Sequence, residues 1–356
     1  MNARREASHP GRMVRGVSVR PRSGTSTAGP ERSRTMASAR GAKSRGARRP
    51  AVKRGAKAKE SVVRTYAAPP RGFDASKASE RTRLRYGIPP RPREAPLQQY
   101  FDRVLSAPLT VVVPKFRRQP GVAGPLDLPL APALPPQRHN HMGGATVTAP
   151  AAQGTMRWIQ GTWTLPHIYQ APVDANAQGC STWMGLFGES STSNLFAGWD
   201  IRVARSGAQL QYSYGVWWQW SPGSRHAVTN LPAEPGDVLS CVICLDLGSH
   251  VRARLYFHNL TRRTVSTFFV TAPSGTELTA DTAGWAVGNM IIDFDGPFVA
   301  RFGAYYFDEC NAGTTDSPVI HHPEQPVFLT NLDGTQDQAI PSILSDTMVR
   351  IAYAGP

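Results

Sequence analysis

The sequence predicts an all-β body, a concanavalin-like sandwich of two antiparallel sheets, behind a basic N-terminal tail and a short helical arm. Three observations carry this. From about residue 140, clusters of Gly, Pro, Asn, Asp and Ser recur roughly every 8–15 residues, which is turn spacing for short strands. Between them lie about twelve short runs rich in Val, Ile, Thr, Tyr, Phe and Trp, with no long helical pattern. In one run Val251, Ala253, Leu255 and Phe257 alternate with Arg252, Arg254 and Tyr256, as in a strand buried on one face. No repeat of 20–50 residues is evident, which argues against a propeller or solenoid.

Taken in order, residues 1–70 are rich in Arg, Ala, Gly, Ser and Pro and hold almost nothing that could form a core. They read as a disordered tail, with Met13 and Met36 as alternative starts. Residues 71–137 form an arm and a connector. Ser79 to Tyr86 has the pattern of a capped helical turn or two. Ile88-Pro89-Pro90-Arg91-Pro92 forces an extended path. Leu97, Tyr100, Phe101, Val104 and Leu105 fall at helical spacing. A Pro-rich stretch over about 119–137 then leads to the body, residues 138–356, which is long enough for one sandwich core.

The charge is divided. Residues 1–100 carry a net +19 and residues 101–356 a net −4, within the overall +15. An acidic body does not wrap nucleic acid over its own surface. Weak, nonspecific contact with nucleic acid or another anionic surface falls to residues 1–70. No apolar run reaches the length of a membrane span. The N-terminus lacks a signal-peptide pattern, so the default expectation is cytoplasmic with reduced thiols. Four cysteines exclude a small disulfide scaffold. Cys180 and Cys310 could pair only if oxidised, and Cys241 and Cys244 point to opposite faces of one strand.

Several runs, in order, resemble the glutamic peptidases of family G1, the eqolisins, formerly A4. They are Asn140-His141-Met142-Gly143-Gly144, Gly161-Thr162-Trp163-Thr164-Leu165-Pro166, Ser181-Thr182-Trp183-Met184-Gly185 and Leu195-Phe196-Ala197-Gly198-Trp199-Asp200-Ile201. Trp217-Trp218-Gln219-Trp220-Ser221-Pro222, Pro235-Gly236-Asp237, Asn259-Leu260-Thr261, Thr271-Ala272-Pro273-Ser274-Gly275 and Ala283-Gly284-Trp285-Ala286-Val287 follow. The arm segment Arg85-Tyr86-Gly87-Ile88-Pro89-Pro90-Arg91-Pro92 is similar to the segment preceding the body in bacterial relatives. The resemblance implies two bent seven-stranded sheets with a cleft on one concave face. It implies acid proteolysis by a Glu that serves as general base and then general acid. A Gln would position the water and stabilise the oxyanion.

Carried over residue by residue, the resemblance puts both dyad positions in doubt. The Gln position, after Leu in a Leu-Gln-x-Gly-x-Asp run, is Phe196. The Glu position, before Trp in an Ala-Glu-Trp-x-Val-Glu run, is Gly284, and the second acid of that run is Gly288. The acids after Trp-x-Gly fall at Phe187 and Glu189, and a further cleft acid falls at Gln219. Phe donates no hydrogen bond to an oxyanion and Gly takes no proton. A pseudoenzyme is the expectation, with no catalytic residue and an aromatic cleft for an extended peptide or glycan. The expected cleft residues are Trp183, Phe187, Trp199, Asp200, Trp217, Trp218, Trp220 and Trp285.

Two other readings compete. Glu189 and Gln219 could form a displaced dyad in an active acid endopeptidase, given a shared water about 3 Å from both. Alternatively, the Arg-rich tail could hold nucleic acid beneath a structural shell. No cofactor or metal is expected: His139, His141, His321 and His322 match no zinc spacing and read as surface or loop residues. Asp293 and Asp295 have the parity of a glycosidase pair but sit in a turn sequence. Asp308 and Glu309 lie on or beside a late strand.

Overall fold

The computed structural model describes residues 61–119, 137–169, 177–188, 193–288, 299–314, 319–331 and 334–356. Within them the chain runs through β1 (Val62–Thr65), α1 (Glu80–Arg85), α2 (Ala95–Val104), β2 (Thr110–Val111), β3 (Phe116–Gln119), β4 (Gln137–His139), β5 (Gly143–Thr148), β6 (Met156–Thr164) and β7 (Ala177–Phe187). It continues with β8 (Asn194–Ser206), β9 (Gln209–Ser221), β10 (Arg225–Val228), β11 (Val238–Leu245), β12 (Arg252–Asn259), β13 (Thr264–Thr271) and β14 (Thr282–Gly288). β15 (Ala304–Thr314), β16 (Ile320–His321), β17 (Gln325–Thr330), β18 (Asp337–Ser345) and β19 (Met348–Tyr353) complete it. None of the described helices is long and apolar enough to cross a membrane.

The strands make two layers. The first has the order β3-β10-β9-β8-β7-β14-β5-β17-β4. The second runs β18-β19-β15-β6-β11-β12-β13, with β1 and β2 along the free edge of β13. β17 pairs with β5 through its first half and with β18 through its second, and so joins the layers along one side. The expected sandwich is therefore present, almost wholly antiparallel.

Alternation decides what fills it. Leu195, Ala197, Trp199, Ile201 and Val203 of β8 point into the space between the layers, with Trp218 and Trp220 of β9 and Trp285 of β14. From the second layer come Trp163, Leu239, Cys241, Ile243, Leu255 and Phe257. Trp199 sits edge-on to Trp163 and Phe257, each at 5.2 Å between centroids. Three of the buried indole N–H groups find acceptors, as buried indoles usually do. Trp163 Nε1 donates to Thr182 Oγ1 at 3.0 Å, Trp285 Nε1 to the Gln160 carbonyl at 2.7 Å and Trp220 Nε1 to Ser193 Oγ at 3.2 Å.

The arm packs on the outer face of the second layer. Ser79 caps α1 through its hydroxyl, which accepts from Thr82 N. Leu97, Tyr100, Phe101 and Val104 of α2 are buried against Trp158, Val242, Tyr256 and Val265. Arg103 bridges to Glu309 at 2.6 Å, and Arg263 Nη2 donates to the carbonyls of Val104 and Ala107 at the end of α2. Glu309 thus anchors the arm. The expected tail is shorter than residues 1–70: the β-branched pair Val62-Val63 lets β1 add to the edge of β13, and Tyr66 packs on Phe269. The rest of that tail lies outside the described residues.

Candidate functional site

The four central strands of the first layer turn their other faces away from the core. Their registers align the two expected dyad positions in one cross-strand row: Gln325, Thr146, Gly284, Gly185, Phe196, Gln219, Arg225 and Gln119 stand side by side from β17 to β3. The next row on the same face is Gln137, Val327, Gly144, Ala286, Trp183, Gly198, Trp217, Ala227 and Arg117. Gly284 and Phe196 thus lie on either side of Gly185. The sequence spacing alone does not show this.

The chemistry of the row is apolar. Met142, Trp183, Phe187, Phe196, Trp217, Ala286 and Val327 form their own cluster, separate from the core. The Phe196 ring lies over Gly185, where it takes the space a Cβ would need. The Phe187 ring covers Gly284 in the same way, with Cζ 2.9 Å from where a Cβ would stand. Trp183 meets Phe196 edge-on at 5.1 Å, and Phe187 lies 6.1 Å from Phe196. The glycines are required here by the close approach of rings rather than by backbone conformation.

Three polar side chains on this face, Gln219, Asp200 and Arg225, have partners. Gln219 Nε2 donates to the Gly223 carbonyl at 3.1 Å. Asp200 accepts from Ser181 Oγ at 2.5 Å and pairs with Arg225. Arg225 lies over the Trp217 ring, 3.7 Å from its centroid. Burial pushes the Asp200 carboxyl up, against the opposing pull of Arg225, and burial lowers the Arg225 guanidinium. Asp200 is thus held by a serine and an arginine. Glu189, the other half of the displaced dyad, lies outside the described residues, as do Asp293 and Asp295.

The face divides the expected cleft residues in two. Trp183, Phe187, Asp200 and Trp217 are on it. Trp199, Trp218, Trp220 and Trp285 belong to the core, because strand parity turns them inward; the expectation for those four is corrected. Arg225 and Gly185 are the site residues that sequence reasoning missed. A lone Arg after a turn carries no signal, and only its register opposite Gln219 reveals it.

Elsewhere, the described residues contain no cluster of His, Cys, Asp and Glu that could hold a metal ion. His139 contacts His141, and burial pulls it down to about 4. His321 is buried in β16 rather than on the surface, because that strand pairs with β15. Cys180, Cys241, Cys244 and Cys310 are free thiols, with Cys241 in the core and Cys244 against the arm.

Solved structures and one family model match the chain. Scytalido-glutamic peptidase, solved with a transition state analog inhibitor, is similar at 18% identity over 61% of this chain and 99% of that one, with a TM-score of 0.48. Aspergilloglutamic peptidase from Aspergillus niger is similar at 23% identity over 50% of this chain and 99% of that one, with a TM-score of 0.41. No curated protein matches the chain. The family model of the Peptidase A4 family matches residues 140–353, which is more than half of the chain and holds β5 to β19, so the protein belongs to the Peptidase A4 family.

Proposed function

We propose that the protein is a non-catalytic member of its family that keeps the aromatic face as a groove for an extended polypeptide. One observation carries the reading. The row joining the two dyad positions is filled by the Phe187 and Phe196 rings over Gly284 and Gly185. General base catalysis needs a carboxylate within about 3 Å of water, and oxyanion stabilisation needs a donor at a similar distance. Phe196 and Gly284 supply neither. The losses together exceed the roughly 10²–10³ in rate that follows removal of one oxyanion donor. What the face retains is flat rings and apolar side chains, a lining that suits an extended chain.

The test is cleavage of an acid-denatured protein by the full chain between pH 2 and 7. No cleavage is expected. Cleavage that disappears in Glu189→Gln would establish the displaced dyad and overturn the proposal, and cleavage that survives it would overturn the proposal by another route. The variant Phe187→Asp/Phe196→Gln/Gly284→Glu supplies the positive arm, since it returns acid and amide to one row and removes the ring over residue 284.

A further inference from the structure

A cavity lies on the outer face of the second layer, away from the aromatic rows. α2 and the segment 88–92 roof it, and side chains of β6, β11, β12 and β13 floor it. Its volume is about 410 Å³, within the range of small-molecule sites. Four strands at ~4.8 Å spacing make the floor about 14 Å wide, and Arg254 to His258 spans about 13 Å along β12.

The floor is graded from one end to the other. Trp158, Cys244 and Arg254 share one register, Val242, Tyr256 and Thr267 the next, and His258 and Val265 the third. Leu97, Phe101 and Val104 of α2 close over them. At the His258 end the polar groups satisfy each other, because the Tyr100 hydroxyl meets His258 Nδ1. At the Arg254 end they do not. Arg254 Nη1 donates to the Tyr256 hydroxyl at 3.0 Å, but Arg254 Nε is shut off from water and has no hydrogen-bond partner.

The charges at that end leave a cation uncompensated. Arg254, Glu94, Arg157 and Asp246 all act on the Cys244 thiol, so the four surround one spot. The two acids already have partners: Asp246 pairs with Arg252 at 3.6 Å, and Glu94 accepts from the Arg93 backbone N–H at 3.1 Å. Among the described residues neither Arg157 nor Arg254 forms an ion pair. An arginine at the end of an otherwise apolar cavity complements an apolar chain with one anionic head, since a guanidinium binds a carboxylate by charge-assisted hydrogen bonds.

We propose that this cavity binds a single-chain amphiphilic carboxylate, with its head at Arg254 and its chain beneath α2. The site is on the other layer from the aromatic face and does not rest on the reading of that face. Because α2 is the roof, an occupant also holds the arm on the sandwich by mass action.

The test titrates the full chain calorimetrically with decanoate, decanol and decylamine at pH 7.5. Decanoate should saturate one site and bind about tenfold tighter than either other probe, the discrimination that one hydrogen bond to a charged group supplies. It should also slow hydrogen exchange over residues 95–104. Arg254→Met should weaken decanoate about tenfold and leave decanol unchanged, and Arg254→Lys should recover part of the loss. Cys244→Phe should fill the Arg254 end and abolish binding. A diazirine-bearing decanoate on the natural chain gives a readout that no variant confounds, with label expected in α2, β11 or β12. Absence of saturable binding, equal binding of decylamine, full-strength decanoate binding by Arg254→Met, or label confined to residues 1–60 or to the aromatic face would each overturn the proposal.

Discussion

The packing of Phe187 over Gly284 predicts a strong energetic coupling. A Cβ at 284 would come within 2.9 and 3.0 Å of the Phe187 ring and 3.3 Å of Thr146 Cγ2. Both neighbours are buried, so neither can swing into solvent. Gly284→Ala should therefore destabilise by about 1–3 kcal/mol, as overpacking usually does. In an unobstructed strand the same change would be slightly favourable. Phe187→Ala alone should cost about 3–5 kcal/mol through lost burial and a cavity. Phe187→Leu is the milder partner if that variant proves too unstable to measure. In the combined variant the new methyl enters space the ring has left, so the second substitution should cost nearly nothing. The expected coupling is about 1–3 kcal/mol, well above the few tenths seen for independent sites. The assay is urea unfolding of all four corners of the cycle, with midpoints compared at constant slope. Additivity within about 0.5 kcal/mol would refute the assignment of the ring to the space over residue 284.

Other measurements follow from the same structure. Arg225→Met should cost about 3–5 kcal/mol, because it leaves the Asp200 carboxylate buried beside Ser181 without its counter-charge; urea unfolding reads it, and a loss below 1 kcal/mol would contradict the pair. Burial pulls His258 down to about 3, with Arg263 adding to the shift, while its Nδ1 meets the Tyr100 hydroxyl. A depressed folded value means that stability is full above the unfolded value near 6.5 and is lost as pH falls from there toward about 3, with a slope of about 1.4 kcal/mol per unit; His258→Gln should flatten the slope of stability against pH. Burial raises the thiols of Cys180 and Cys244 to about 12, so native chain at pH 8 should react with Ellman's reagent at least a hundredfold more slowly than unfolded chain. Phe101→Ala should loosen the arm and cost about 3–5 kcal/mol, with faster hydrogen exchange over residues 95–104 as the readout.

The sandwich was legible because its information is local. Alternation in 251–257 and turn spacing from residue 140 report strands directly, and β12 falls where the pattern puts it. Ser79 as a cap and the apolar spacing in 97–104 gave both helices within a residue or two. β1 escaped because four residues in a tail of Arg, Ala and Gly gain their stability from the edge of β13, a partner two hundred positions away. The site was legible in part. Motif order singled out Phe196 and Gly284, which the registers bring into one row, but which tryptophans face the groove depends on parity counted from the core. Trp217 and Trp218 differ by one residue and lie on opposite faces. Arg225 and Gly185 acquire meaning only from registers that no spacing along the chain encodes.

The same registers bear on how such a site can change. Phe187 and Gly284 are far apart in sequence but touch in the fold, and Phe196 packs beside Phe187. A glutamate at 284 and a phenylalanine at 187 compete for one volume, so Gly284→Glu alone would bury a carboxylate against an aromatic ring with no partner. That costs far more than the roughly 1–3 kcal/mol of overpacking. Phe196→Gln alone would place an amide between Trp183 and Phe187, leaving its polar atoms without partners in an apolar cluster. Each single change to acid or amide is therefore opposed by the residues that remain, and only the joint change relieves both conflicts. It follows that Phe187→Asp/Gly284→Glu should fold better than Gly284→Glu by at least 2 kcal/mol, although it buries two carboxyls in place of one. A double variant less stable than the single would show that buried charge, rather than the ring at 187, is what excludes an acid from this row.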